Sequence, residues 1–169
     1  MTYPIGNFWH SWAVFWRRFS LTEGEQCLLL AYSIVCVFGG GIAFVVLTRL
    51  TGQNLFTEGL NFYGKWVMFA GALGAGAALY ICRGRMGQSG ISGAANAVWS
   101  AVLVTAVGAV IAGTLALPLY GTMFGPFTFF MAMLGSPFLA LTWFGNLIAA
   151  HMLIREWRNE QARYDRRMS

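Results

Sequence analysis

Charge is what this 169-residue sequence has least of: 10% of its residues are Asp, Glu, Lys or Arg, against 57% hydrophobic. A water-soluble domain carries roughly 25% charged residues, so an ordinary soluble surface cannot be made from this composition. From Met86 through Ile154 there is no charged residue at all, a run long enough for more than one bilayer crossing. Cysteine is scarce too: Cys27, Cys36 and Cys82 show no Cys-x-x-Cys spacing, which excludes a disulfide scaffold and leaves them as small core residues. Six acids and two histidines are a thin inventory for metal or proton chemistry, and no metal site is expected. Gly-x-Ser-x-Gly, His-Glu-x-x-His and P-loop patterns are missing, so nucleophilic or hydrolytic catalysis finds no support. The chain reads as a membrane protein without an enzymatic centre.

What is present is a set of long apolar runs separated by charge. An unpaired charge at the bilayer centre costs about 2.5–3.5 kcal/mol on insertion scales, so uncharged runs mark the spans. Four are predicted: Cys27 to Thr48, Lys65 to Cys82, Ala94 to Leu117, and one within Phe127 to Ile154. All are expected to be helices, because lipid offers backbone groups no partner. Ser20 with Glu23, and Thr22 with Glu25, each fit a capping box opening the first span. Pro118, Pro126 and Pro137 bracket the approach to the fourth span, which predicts a kinked first half and a broken or re-entrant Leu119–Phe130 segment.

Of the eleven basic residues, Arg17, Arg18, Arg83, Arg85, Arg155, Arg158, Arg163, Arg166 and Arg167 fall on one side of this topology, and only Arg49 and Lys65 on the other. The positive-inside rule then puts both termini in the cytoplasm of a bacterial-type inner membrane. The +5 formal charge is explained by topology and by anionic lipid, not by nucleic acid, since no basic stripe lies on a soluble domain. Ahead of the first span, Phe8, Trp9, Trp12, Phe15, Trp16 and Phe19 share one helical face, while Asn7, His10, Ser11, Arg17 and Arg18 share the other. That pattern predicts an amphipathic helix over residues 1–22, anchored in the headgroup region by Trp9, Trp12, Trp16, Arg17 and Arg18. Its aromatic face would equally suit the membrane edge of a partner protein. The apolar run that follows is longer than a cleavable signal's, so the segment is expected to stay attached. The domain plan is residues 1–22 interfacial, 23–154 transmembrane and 155–169 a basic tail that extends the last helix.

Small residues recur at helical spacing. Ala97, Ala101, Thr105, Ala109 and Gly113 line one face of the third span. Gly71 with Ala75, and Ala70 with Gly74 and Ala78, do the same on the second. Such rows let backbones approach closely, the main device of helix association in lipid; the rows either face each other or serve another subunit. Gly39, Gly40 and Gly41 interrupt the first span, where a crossing helix is the ordinary explanation and a hinge or ligand contact the sharper one. Asn96, Thr105, Thr142 and Asn146 are the polar groups that would lie at depth. Asn146 shares a face with Thr142 and could bond another helix or a quinone carbonyl. His151 and His10, both toward the cytoplasmic side, complete the candidate cofactor set for haem or quinone, although neither histidine has a fixed opposite partner.

One stretch bears comparison with a known family. Arg49 at the end of the first span, then Glu58, Leu60, Tyr63, Trp66, Phe69, Gly71 and Ala72, resembles a pattern in the small membrane subunit of TRAP transporters. In that family the small subunit is a four-helix protein that braces a larger transport subunit, and the resemblance implies the same work here. The similarity covers Arg49 to Gly76, and a single Glu58 stands where the family has an acidic pair. The sequence thus predicts an all-α, four-span accessory subunit of a larger integral-membrane complex, with a haem- or quinone-binding anchor of an electron-transfer complex as the alternative.

Overall fold

A computed structural model describes residues 22–52, 61–88 and 91–168. The interfacial helix expected over residues 1–22, with Trp9, His10, Trp12, Trp16, Arg17 and Arg18, falls outside the described residues except for Thr22. Among the described residues the chain is all-α, with no strand. Helix α1 covers Glu23–Thr51, α2 Phe62–Cys82, α3 Ile91–Ala116, α4 Gly121–Leu134 and α5 Pro137–Met168. Four of these, all but α4, are long and apolar enough to cross a membrane, because about 20 residues at 1.5 Å each bridge the hydrocarbon core. The chain is built as a multi-pass membrane protein.

The helix ends follow from local chemistry. The capping box of Thr22 with Glu25 is in place: the Glu25 N–H donates to Thr22 Oγ1 at 3.3 Å, and the Thr22 N–H donates to Glu25 Oε2 at 3.0 Å. Ser20, of the other box, lies outside the described residues. Gly52 ends α1 in the left-handed region, φ 64°, which glycine adopts without steric cost. Asn61 caps α2, its Oδ1 accepting from the Gly64 N–H at 2.7 Å.

The approach to the last span departs from a single kinked helix. α4 ends at Leu134, the chain turns at Gly135 and Ser136, and α5 restarts at Pro137. Proline suits a first helical position because no N–H is needed there, and Ser136 Oγ accepts from the Leu139 N–H at 3.4 Å. Pro126 lies inside α4 without ending it. The turn before α4 carries Leu119 at φ 75°, a left-handed conformation that costs a non-glycine residue about 1–2 kcal/mol.

Glycine sets the packing. A Cβ placed on Gly39 would lie 2.5 Å from the Ala75 Cβ and 2.7 Å from the Gly71 carbonyl oxygen, so α1 and α2 touch backbone to backbone. One placed on Gly74 would lie 2.7 Å from the Gly108 oxygen and 2.8 Å from the Ala112 nitrogen, which joins α2 to α3 in the same way. Gly113 and Ala109 meet Gly121 and Gly125, joining α3 to α4. The two rows of small residues on the second span therefore serve different neighbours, α1 and α3, and the lower part of the third-span row serves α4. α5 lies antiparallel against α1, with the Trp157 backbone beside Gly24.

Buried side chains concentrate at one end. Ala31, Val35, Ala78, Leu79, Cys82, Met86, Val104, Leu147, Ala150 and Ile154 form the core, toward the start of α1 and the tail of α5, with Val35, Val104 and Leu147 at its border with the other half. Crossings as tight as those at Gly39 and Gly74 leave no room for a side chain. Gly39→Val and Gly74→Val are expected to lower unfolding stability in detergent by about 1–3 kcal/mol, the usual cost of overpacking. Gly41→Val, where no described residue lies within 4 Å of the position a Cβ would take, should unfold like the parent protein.

Candidate functional site

The other half of the bundle is hollow. A cavity of ≈ 180 Å³, partly open at the surface of the bundle, runs between Val35 and Leu50 of α1, reaches Tyr63 of α2 and Leu117 beyond α3, and is bordered by α4 and by Trp143, Asn146 and Leu147 of α5. Its walls explain its existence: the glycines and alanines that let α1, α2, α3 and α4 cross closely supply little volume away from the crossing points.

Most polar groups on the lining are satisfied within their own surroundings. Thr105 Oγ1 donates to the Ala101 carbonyl at 2.7 Å, and Thr128 Oγ1 to the Phe124 carbonyl at 2.9 Å. Tyr63 Oη donates to the Ala116 carbonyl at 3.5 Å. Just beside it, Trp66 Nε1 donates to the Leu115 carbonyl at 2.9 Å. Tyr63 and Trp66 thus serve the orphan carbonyls at the end of α3, which accounts for two of the aromatic residues in the Arg49–Gly76 stretch. Two lining groups differ. The Trp143 indole and the Asn146 amide, one helical turn apart, have no hydrogen-bond partner among the described residues. Trp143 is held edge-on by Phe129 and Phe144, with ring centroids 5.9 and 4.9 Å away.

The sequence-derived candidates separate in space. Gly71, Ala75, Thr105, Ala109 and Gly113 line the cavity with Asn146, whereas Ala101 packs on the core at the other end. Thr142 turns its hydroxyl to the Phe138 and Leu139 carbonyls of its own helix. Asn96 pairs with Gln88 near the α2–α3 connection, Nδ2 to Oε1 2.9 Å. His151 is not on the cavity lining; its Nδ1 accepts the Gly87 N–H at 3.1 Å. That bond ties α5 to the connection between α2 and α3 and uses one of the two imidazole nitrogens. His10 lies outside the described residues, and no group of three or more His, Cys, Asp or Glu that could hold a metal occurs among the described ones.

A second polar assembly, at the opposite end, was not foreseen from the sequence. Arg158 Nη2 donates to the Arg83 carbonyl at 3.1 Å and to the Gly84 carbonyl at 2.6 Å. Glu160 accepts from the Gly24 N–H and, at 3.0 Å, from Thr22 Oγ1, placing a carboxylate at the positive end of α1. Arg83 itself stacks 4.5 Å from the Tyr80 ring centroid. The first turn of the tail is therefore a clamp on two other segments, while Arg163, Arg166 and Arg167 beyond it are exposed. Arg-x-Glu at 158 and 160 carries no period or motif; only the fold brings it to Gly24 and Arg83.

Compared with protein-family models, curated proteins and solved structures, the chain matches none of them. Removing the clamp tests its part in holding the end of the bundle. In Glu160→Ala the Gly24 amide loses its acceptor, and its hydrogen exchange is expected to speed up about 5- to 30-fold, the equivalent of 1–2 kcal/mol. Exchange at amides around Ala75 should stay unchanged.

Proposed function

We propose that this chain is a non-catalytic integral subunit of a bacterial-type inner-membrane assembly, which packs against a larger membrane protein and supports it. The observation that carries this reading is bare backbone on the outside of the bundle. Gly41 of α1 and Gly145 of α5 are exposed, and among the described residues nothing lies within 4 Å of where their Cβ atoms would be. Glycine in a helix interior costs roughly 1 kcal/mol relative to alanine, and among the described residues neither position uses that cost for a crossing. In lipid, small residues on an outer face allow a neighbouring helix to approach closely. The resemblance of Arg49–Gly76 to the small subunit of TRAP transporters supports the same reading and suggests a transport complex as the larger partner.

In this reading both termini are cytoplasmic. The start of α1 and the tail of α5 lie together, Gly24 against Trp157, and nine of the eleven basic residues belong to that end of the topology. The tail beyond the clamp rests on anionic lipid or on an acidic partner surface, and Trp9, Trp12, Trp16, Arg17 and Arg18 hold the leading segment in the headgroup layer. Reporter fusions after Ser169 should then be active only with a cytoplasmic reporter; a signal from a periplasmic one would reverse the orientation.

The partner test uses the open glycines. Mild-detergent purification from native membranes is expected to bring down a larger membrane protein with the parent chain. Gly41→Leu and Gly145→Leu should fold normally yet recover at least tenfold less of it. Copurification undiminished in both variants, or monomer alone under several mild conditions, would count against the accessory reading.

A further inference from the structure

The cavity in the hollow half has a ligand chemistry that helix packing does not explain. We infer that it binds a quinone-type molecule: a neutral, planar, membrane-soluble ring that bears carbonyl oxygens and an apolar tail. Trp143 Nε1–H can only donate, and the Asn146 amide donates through its nitrogen; both residues line the cavity one turn apart, and neither side chain makes a hydrogen bond among the described residues. Polar hydrogens in hydrocarbon require an acceptor, because an unmade bond there costs far more than in water.

Depth selects the acceptor. Trp157 lies beside Gly24 at one end of the bundle, and Asn146 is eleven residues further along α5, about 16 Å at 1.5 Å per residue. Asn146, nine residues or about 14 Å from Pro137 at the other end of the helix, thus sits near mid-span, where an acyl lipid presents methylene groups and its ester oxygens remain near the headgroups. A quinone is the kind of membrane solute that carries carbonyl oxygens into that layer. Shape agrees with this. Phe38, Phe129 and Trp143 on the lining supply aromatic surface, against which a ring stacks favourably. The volume of ≈ 180 Å³ exceeds the roughly 150 Å³ of a cavity that admits benzene, enough for a substituted ring. From the donors the lining continues to Leu47, Leu50 and Leu117, an apolar path for the tail. The site is independent of the partner face at Gly41 and Gly145.

The test is titration of the purified full-length chain in nanodiscs with decyl-ubiquinone, together with mass spectrometry of the organic extract of the purified protein. Saturable binding near one per chain is expected, weakened at least tenfold in Trp143→Phe and in Asn146→Leu. Thr142→Val should bind as the parent does, since its hydroxyl is occupied within the helix and lies off the lining. Monodisperse elution and unchanged helical circular dichroism establish that each variant folds. If Asn146→Leu fails that check, Trp143→Phe and the parent titration decide alone. Binding unchanged in the folded donor variants would overturn the assignment. So would an extract containing only phospholipid with no saturable quinone binding, which would make the cavity a slot for an acyl chain.

Discussion

The architecture depends on direct contact between helix backbones. In hydrocarbon, apolar side chains gain little by leaving lipid for one another, so helices are held by close packing and by the hydrogen bonds between them. Gly39 against Gly71, Gly74 against Gly108, and Gly113 against Gly121 are the points where this chain makes such contact. Each joins one pair of successive helices, and together they run from α1 to α4. α5 is joined differently. It lies along α1 and is secured at one end by Arg158 on the Arg83 and Gly84 carbonyls, by Glu160 on the Gly24 N–H, and by His151 on Gly87.

The same device produces the cavity. Residues small enough for backbones to meet cannot fill the space that opens as helices diverge from a crossing. At the tail end, Leu79, Met86, Leu147 and Ile154 provide the missing volume and a compact core results. At the other end many inward positions of α2, α3 and α4 are Gly or Ala, and the short α4 borders the space without filling it. Stability and available space are thus segregated along the bundle: a clamped, densely packed end beside the basic residues, and an open end lined by aromatic side chains. Trp143 and Asn146 stand at the boundary between them, which is why they can be fixed by the packed half while facing the hollow one.

The medium, the helices and most of their limits were legible in the sequence, because they are set by local quantities. A run without charge from Met86 to Ile154 can only be placed in lipid, and Thr22 with Glu25, Asn61 and Gly52 mark helix ends through their own hydrogen bonds and backbone preferences. The four long helices follow from this. So does the unusual character of the segment after Pro118, although proline alone could not say whether the helix would bend or stop; Ser136 and Pro137, acting as cap and first position, decided that it stops and restarts. Asn146 could be singled out as a polar group at depth. Trp143 could not, since a tryptophan in an apolar span has no local mark that separates a lipid-facing ring from one on an inner wall.

What tertiary structure alone decided is which small residues meet which. A row spaced by four identifies a face but not its partner, and the rows on the second span went to two different helices because a bundle of five must share its contacts around a ring. The cavity is likewise a property of several helices at once, absent from any one of them. The clamp at Arg158 and Glu160 joins residues more than 70 positions from their partners, and no sequence period records such a distance. Local chemistry and the choice of solvent were therefore determined by the order of the amino acids, read a turn at a time. Pairing, the space left between helices and the polar groups facing it were determined only when the helices came together, because each depends on the distance between segments that the chain itself keeps far apart.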